Sequence, residues 1–280
     1  MTRSSLPASE LSVGGALGVG IAQFAPGTDK AANLAVITRL CERAASRGAS
    51  LVVFPEYSSF FADPFGEGFL ENAERLDGDF VTMLSALAAR LEMHIVAGMI
   101  ETTAGGERFS NSVVAVAPSG ELVASYRKLH LYDAFGSHES EFVEPGIIEA
   151  PETFAVGDFT VGLQTCYDIR FPEVTRRLVD AGVDLALVPA EWVRGVLKEH
   201  HWRTLVTARA LENTIYVAAA DHTPPIGVGA SLVVDPMGVT IASLAENEDV
   251  AVAFVDRARV ENVRFINPAL SLRRFGVREL

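Results

Sequence analysis

The spacing of apolar residues changes repeatedly along this chain, and this feature restricts the fold more than any other. Unbroken apolar runs such as Leu51 to Phe54 are typical of strands that are buried on both faces. Between such runs, apolar side chains recur every three or four positions, as they do at Leu34, Ile37, Leu40, Cys41 and Ala44. Regular alternation of the two periods predicts an α/β fold in which helices cover sheets.

Two segments of the chain resemble each other, and each follows a predicted strand and helix. They read GASLVVFPE at 48–56 and GVDLALVPAE at 182–191. Two βαβ units that end alike predict a pseudo-two-fold arrangement, although short units of this kind also share such patterns by chance. If the repeat is real, strand ends that carry Glu56, Cys166 and Glu191 meet where open α/β sheets bind ligands.

Composition limits the class of protein and its partners. The chain has 280 residues, 49% of them hydrophobic, with 23 basic and 36 acidic side chains and a net charge of −13. We expect a flexible leader at 1–14, one domain at 15–256 and a basic C-terminal segment at 257–280. The acidic balance argues against nucleic acid or an anionic membrane as partner, and no run of 18 apolar residues occurs. A small-molecule partner fits better.

The chain contains two cysteines, Cys41 and Cys166, and their wide separation suggests neither a disulfide framework nor a metal knuckle. This usage predicts a reducing, cytoplasmic location. Cys41 falls on a helical apolar stripe and is assigned to the core. Cys166 directly follows the predicted strand Phe159 to Thr165, and polar residues come after it. It is either a core thiol or a nucleophile displayed at a strand-to-turn junction, where free N–H groups bind an oxyanion.

A carboxylate and an ammonium are available as partners for that thiol. Glu56 follows a buried strand and Pro55, so desolvation there would make the carboxylate a stronger base. Lys128 enters an aperiodic segment, 128–146, that is long enough to be functional. A fixed ammonium can neutralise an oxyanion and favour a thiolate. Each residue taken alone could equally be a solvated surface group.

Three strings in order resemble the Glu, Lys and Cys boxes of the nitrilase superfamily, the carbon–nitrogen hydrolases. They are FPE at 54–56, YRKLHL at 126–131 and CYDIRFPE at 166–173. The resemblance extends from GIAQF at 20–24 to NPALSLRRF at 267–275, nearly the whole chain.

The resemblance implies a four-layer αββα sandwich and a set of site roles. By it, Cys166 is the nucleophile, Glu56 the general base and Lys128 the oxyanion stabiliser, and the Tyr167 backbone N–H completes the oxyanion hole. A second glutamate of the following loop assists. Glu139 matches that position best, with Glu141 and Glu144 nearby as alternatives.

The implied reaction is hydrolysis of a small-molecule amide to a carboxylic acid and ammonia through a cysteine thioester, with no metal and no organic cofactor. The resemblance also implies a homodimer or a higher even-numbered oligomer, with the segment 257–280 packed at the interface. The alternatives are an N-carbamoyl amino acid or polyamine amidohydrolase, a nitrilase, and a catalytically silent scaffold of the same fold.

The residues after the nucleophile bear on the substrate. Nitrile-cleaving relatives typically have Trp-Glu there, whereas the Tyr-Asp pair of this chain resembles ω-amidases and deaminated glutathione amidases. Substrates of those branches carry a remote carboxylate, which requires a cation. The candidates are Arg170 and Arg194, and Arg170 alternatively pairs with Asp168. Predicted pocket-lining aromatic residues are Phe60, Phe61 and Trp192.

Two unrelated enzyme classes fit less well. A dinucleotide-binding enzyme needs its glycine-rich turn after the first strand, whereas the glycine-rich stretch 14–20 begins before it. A zinc hydrolase could use His138, His200 and His201, but no HExxH pattern is present.

Overall fold

Twelve strands in two sheets form the centre of the protein. The structure, a computed structural model, describes residues 15–66 and 68–280, so the predicted leader 1–14 lies outside the described residues. The strands of the first sheet are β1 Leu17–Gln23, β2 Leu51–Val53, β3 His94–Thr102, β4 Phe109–Val116, β5 Leu122–Arg127 and β12 Asp249–Val255. Those of the second are β6 Thr153–Val156, β7 Phe159–Leu163, β8 Leu185–Pro189, β9 Tyr216–Ala220, β10 Leu232–Val234 and β11 Thr240–Ser243.

The two sheets have the same arrangement of strands, and this accounts for the repeated sequence segments. The strand orders are β12-β1-β2-β3-β4-β5 and β11-β10-β9-β8-β7-β6. In each sheet three consecutive strands are parallel, β1-β2-β3 and β7-β8-β9, and the next two strands continue antiparallel. The predicted pair of βαβ units is therefore present.

Helices cover the outer face of each sheet. Their bounds are α1 Lys30–Ser46, α2 Gly68–Asn72, α3 Asp79–Leu91, α4 Pro172–Asp180, α5 Lys198–Asn213 and α6 Arg257–Ile266. One apolar cluster joins α1 and α3 to the first sheet, and another joins α4 and α5 to the second. A third cluster fills the space between the sheets, with Val19, Leu51 and Val96 opposite Leu163, Leu185 and Tyr216. The α, β, β, α order of layers confirms the predicted sandwich.

Local sequence signals set several helix ends. Asp29 caps α1, since its side chain accepts a hydrogen bond from the Ala32 N–H. Pro172 begins α4, where its missing N–H and fixed φ cost nothing. Six α-helices are present within the described residues.

The last strand and helix return to the beginning of the chain. Strand β12 pairs antiparallel with β1 from Leu17 opposite Val255 to Gln23 opposite Asp249. Helix α6 then buries Val260 and Val263. The basic segment 257–280 therefore begins as a packed helix.

Several arginines of this segment are engaged within the chain. Arg264 Nη1 lies 2.9 Å from Asp184 Oδ1, and Arg257 pairs with the same carboxylate. Arg259 lies 2.8 Å from Asp235. Part of the local excess of positive charge is thus neutralised by the body of the protein. No helix of residues 15–66 and 68–280 has both the length and the apolar character needed to cross a membrane.

Candidate active site

One cavity of about 470 Å³ receives side chains from both sheets. Glu56 follows β2, Lys128 directly follows β5, and Glu139 begins a short 3-10 helix in the loop beyond it. Cys166 follows β7, and Glu191 follows β8. All five line the cavity. The structure therefore brings together the thiol, the ammonium and the carboxylates that the sequence singled out, at the carboxyl ends of parallel strands.

A buried hydrogen-bonded network surrounds the Lys128 ammonium. Its Nζ lies 2.9 Å from Glu56 Oε1 and 2.9 Å from Glu139 Oε2, and the side chain is 2% exposed. Asn111 Nδ2 donates to Glu56 Oε1 at 2.6 Å and to Glu139 Oε1 at 3.0 Å. Tyr57 OH donates to Glu139 Oε1 at 2.6 Å. The two carboxylates are held apart by donors that bridge them.

These contacts keep the central groups charged. Burial alone disfavours the Lys128 ammonium, but the adjacent Glu139 and Glu56 carboxylates outweigh burial and raise the pKa of Lys128 well above its usual value. Burial likewise opposes ionisation of Glu139, yet the Lys128 charge and the Tyr57 hydrogen bond lower the pKa of Glu139. The ammonium and this carboxylate form a stable ion pair inside the protein.

The Cys166 backbone lies in a conformation that side chains rarely adopt. This residue begins the 3-10 helix Cys166–Arg170 with a φ of 43°, in the left-handed region. Strained backbone of this kind is found mostly where function fixes a side chain. Sγ lies 3.6 Å from the Glu191 carbonyl oxygen. Burial, and next the Glu56 charge, raise the pKa of the Cys166 thiol well above its usual value, so the resting group is a neutral thiol.

Asp168 holds the turn that presents Cys166. Its buried carboxylate accepts hydrogen bonds from the Thr165 N–H at 3.1 Å, the Tyr126 hydroxyl at 2.7 Å and the His130 N–H at 3.0 Å. Asp168 Oδ1 also lies 2.8 Å from His130 Nδ1, so both carboxylate oxygens are occupied. The alternative ion pair between Asp168 and Arg170 is not formed.

Backbone contacts hold Glu56 from two directions. The Glu191 N–H donates to Glu56 Oε2 at 2.6 Å, and His222 Nε2 lies 2.6 Å from the Glu56 carbonyl oxygen. Burial lowers the pKa of His222 to about 4, so its ring is neutral near pH 7 and Nε2 carries the donated hydrogen. Gly98 of β3 lies against the Glu56 backbone, so that an added Cβ would be 2.6 Å from Glu56 Cα.

Three of the five predicted substrate-binding residues line the cavity and two do not. Trp192 and Arg194 are part of its wall, and the Arg194 guanidinium also lies 3.3 Å from Glu246 at the surface. Phe60 is a correction, because its ring packs edge-on against Phe69 at 5.4 Å, inside an aromatic cluster. The neighbouring Phe61 lines the cavity instead.

Arg170 is the second correction, since it lies behind the wall rather than in it. Its guanidinium carbon is 4.9 Å from the centre of the Trp192 ring. Its Nε and Nη2 are buried and have no hydrogen-bond partner among the described residues.

The three loop glutamates occupy different environments. Glu139 is 8% exposed and bonded to Lys128, whereas Glu141 lines the cavity with an exposed side chain, and Glu144 is exposed outside the cavity. Glu139 is the glutamate in contact with the ammonium.

Three site residues were not identified from the sequence. Asn111 and Tyr57 complete the network, and Lys198, at the start of α5, is a buried part of the cavity wall. Asn111 lies between Ser110 and Ser112 in β4, so no local pattern in the sequence distinguishes it. Within the described part of the chain, no group of three or more His, Cys, Asp or Glu side chains could hold a metal ion.

Comparison with known proteins agrees with this geometry. The sequence model of the carbon-nitrogen hydrolase family matches residues 18–265, and the chain belongs to that family. Its fold and relatives place it in the nitrilase superfamily. The deaminated glutathione amidase of Escherichia coli O157:H7 is 39% identical over 263 residues, covering 94% of this chain and 99% of the relative. Omega-amidase NIT2 of Danio rerio is 33% identical over 256 residues, covering 88% and 90%.

Solved structures give the same result for the fold. The Nit3 protein of Saccharomyces cerevisiae, described as a member of branch 10 of the nitrilase superfamily, superposes with a TM-score of 0.81 at 26% identity, covering 93% of this chain and 97% of Nit3. The NitFhit protein of C. elegans superposes with a TM-score of 0.85 at 28% identity over 93% of this chain. This chain spans 65% of the length of the worm protein.

Proposed function

We propose that this protein hydrolyses the amide bond of a small molecule to a carboxylic acid and ammonia, with Cys166 as the nucleophile. The observation that carries the proposal is the single cavity in which a strained, buried thiol meets the Glu56 carboxylate and the Lys128 ammonium. The amidase names of the relatives support the substrate class.

In the first half of the reaction, Glu56 takes the thiol proton and Sγ attacks the amide carbon. The oxygen becomes negative and is stabilised by Lys128 and by the Tyr167 backbone N–H. The carbon–nitrogen bond then breaks as Glu56 returns the proton to nitrogen, ammonia leaves, and a thioester remains.

In the second half, water attacks the thioester while Glu56 accepts a proton from it. The carbon–sulfur bond breaks and Glu56 returns that proton to sulfur, which regenerates the neutral thiol. Glu139 has a supporting part, since its charge keeps Lys128 protonated and in place.

Among amides, we favour ω-amides and deaminated glutathione-like compounds, because Tyr167 and Asp168 follow the nucleophile as in the amidase branches and the relatives carry those names. N-carbamoyl amino acids, polyamine derivatives and nitriles are the competing substrates. The cytoplasm is the proposed location, and a homodimer that packs through 257–280 the proposed assembly.

A substrate panel with a mass readout tests the proposal. Ammonia release is followed with ω-amides, carbamoyl compounds and nitriles, for the wild type and for Cys166→Ala. We expect turnover of amides by the wild type alone, and an intact-mass increase that matches an acyl group on Cys166. Unchanged turnover in the variant would remove Cys166 from the mechanism.

A further inference from the structure

Lysine is rare in this chain, and two of its three copies lie in the same cavity. Of the 23 basic residues, only Lys30, Lys128 and Lys198 are lysines. Lys30 is at the surface, where it pairs with Glu74 at 2.8 Å. Lys128 is the ammonium of the catalytic network. Lys198 is 5% exposed, lines the cavity and has no part in the reaction described above.

The Lys198 ammonium has aromatic neighbours but no counter-ion. Its Nζ donates to the Tyr132 hydroxyl at 2.9 Å and lies 4.7 Å from the centres of the Tyr132 and Phe135 rings and 4.9 Å from that of Trp192. No ion pair found within residues 15–66 and 68–280 includes Lys198. Since an ammonium has three N–H donors, two are left for a ligand.

A second cation increases the local excess of positive charge. The Arg170 guanidinium lies 4.9 Å from the Trp192 ring and 5.7 Å from the Phe135 ring, the same two rings that Lys198 approaches. Burial lowers the pKa of Lys198, and the Arg170 charge lowers it further, against the opposing effects of Cys166, Glu191 and Asp221. An anion bound beside Lys198 would offset the free-energy cost of its buried charge and would reduce the repulsion between Lys198 and Arg170.

The same cavity also contains the thiol and several carboxyl groups. Cys166 lines it together with the carboxyl groups of Glu56, Glu139 and Glu191. Burial and the nearby Glu56 charge raise the pKa of Glu191 well above its usual value. Lys128 is already paired with Glu56 and Glu139, so we expect the anionic end of a substrate at Lys198 and its neutral amide at the thiol.

We propose that Lys198 binds a carboxylate of the amide substrate and thereby determines which amides the enzyme accepts. The inference rests on the proposed amidase function. A carboxylate suits the site better than a phosphate dianion, because the cavity wall itself offers one ammonium and one hydroxyl among aromatic rings, while Arg170 lies behind that wall. Trp192, which lines the cavity, packs against the alkyl chain that joins the two ends.

The test compares matched substrates with matched variants. The substrates are the mono-amides of butanedioic and pentanedioic acid and the neutral amides in which a methyl group replaces the carboxylate. For Lys198→Met we expect KM for the carboxylate-bearing amides to rise at least tenfold with kcat within threefold, and kcat/KM for the neutral amides to stay within threefold. Lys198→Arg should restore part of the affinity. The control Lys30→Met should change neither KM nor kcat for either type of amide.

A binding measurement separates the two proposals. In Cys166→Ala enzyme, calorimetry with the pentanedioic mono-amide should show binding that the further change Lys198→Met weakens at least tenfold. If the wild type hydrolyses no amide but this difference in binding is seen, the proposed function fails and the anion site stands. If Lys198→Met lowers turnover of both substrate types equally, or leaves the affinity for the mono-amide unchanged, Lys198 is a structural residue and the inference is overturned.

Discussion

At the scale of single residues, the proposed mechanism requires Glu56 as the base for the Cys166 thiol. A buried thiol whose pKa is raised attacks an amide only when a base accepts its proton in the same step. For Glu56→Gln we expect kcat to fall at least about 10³-fold with little change in thermal stability, because the amide keeps the shape and loses the base. Ammonia release and a thermal melt measure both. Glu141→Gln, at an exposed cavity position, is the control, and wild-type kcat in the Glu56 variant would contradict the role.

Glu139 is expected to act through Lys128. Replacing it by glutamine removes the largest of the charges that raise the pKa of Lys128, so the ammonium should lose its proton at lower pH. We expect kcat to fall about 10- to 100-fold and the alkaline limb of the pH profile to move to lower pH. Glu144→Gln should leave the profile unchanged. A lower kcat with an unmoved limb would show that Glu139 acts in another way.

His222 should make the fold sensitive to mild acid. Its pKa is about 4 in the folded protein against 6.5 in an unfolded chain, so the unfolded state binds more protons between these values. Through His222, the free energy of unfolding is therefore highest above pH 6.5 and falls as pH drops toward 4. The loss is about 2 kcal/mol between pH 7 and pH 5. Denaturant unfolding at both pH values measures this. In His222→Gln, which keeps a hydrogen-bond donor, the fall in unfolding free energy between pH 7 and pH 5 should be smaller by about that amount. The same pH dependence in the variant and the wild type would contradict this prediction.

Motif residues were predictable at this scale, and residues that act through three-dimensional contacts were not. Cys166, Glu56, Lys128 and Glu139 stand at strand ends or in an aperiodic loop, where a polar residue departs from the local pattern. Phe60 and Phe61 are adjacent in the sequence, and only the tertiary packing decides which one reaches the cavity. Lys198 begins a helix 70 residues after Lys128, so no local pattern connects them.

At the scale of elements, β3 supports the Glu56 loop through Gly98. The Gly98 N–H donates to the Pro55 carbonyl at 3.1 Å, and its carbonyl accepts from Ser59 at 3.2 Å. Gly98→Ala would place a Cβ 2.6 Å from Glu56 Cα, and the loop must then shift. We expect a loss of about 1–3 kcal/mol of stability, together with reduced kcat. Gly105→Ala, with open space around its Cβ, is the control.

Strongly periodic elements were predictable and short or charged ones were not. Helix α2 has five residues, too few for a 3.6-residue period to show, and β6 has four. Helix α6 contains three arginines, so its composition indicates a charged segment and not a helix, although Val260 and Val263 form a buried face. Such elements owe their stability to packing against the rest of the fold.

At the scale of the whole molecule, self-association is the open prediction. Phe265, Ile266 and Phe275 of the C-terminal segment are 64%, 70% and 92% exposed. Large apolar side chains close together on a surface are typical of an interface. Light scattering should give at least twice 30.0 kDa, and Phe275→Ser with Ile266→Ser should weaken the assembly. A monomeric mass for the wild type at micromolar concentration would rule out the dimer.

The pairing of β1 with β12 has a consequence for how the protein is made. Strand β1 is bonded along its whole length to β12, more than 225 residues later in the chain. At about 5–20 residues per second, β1 waits tens of seconds with an unpaired edge, and such edges attract other strands. Until β12 has been made, this edge of the nascent chain is therefore exposed to aggregation and to chaperones that bind extended segments.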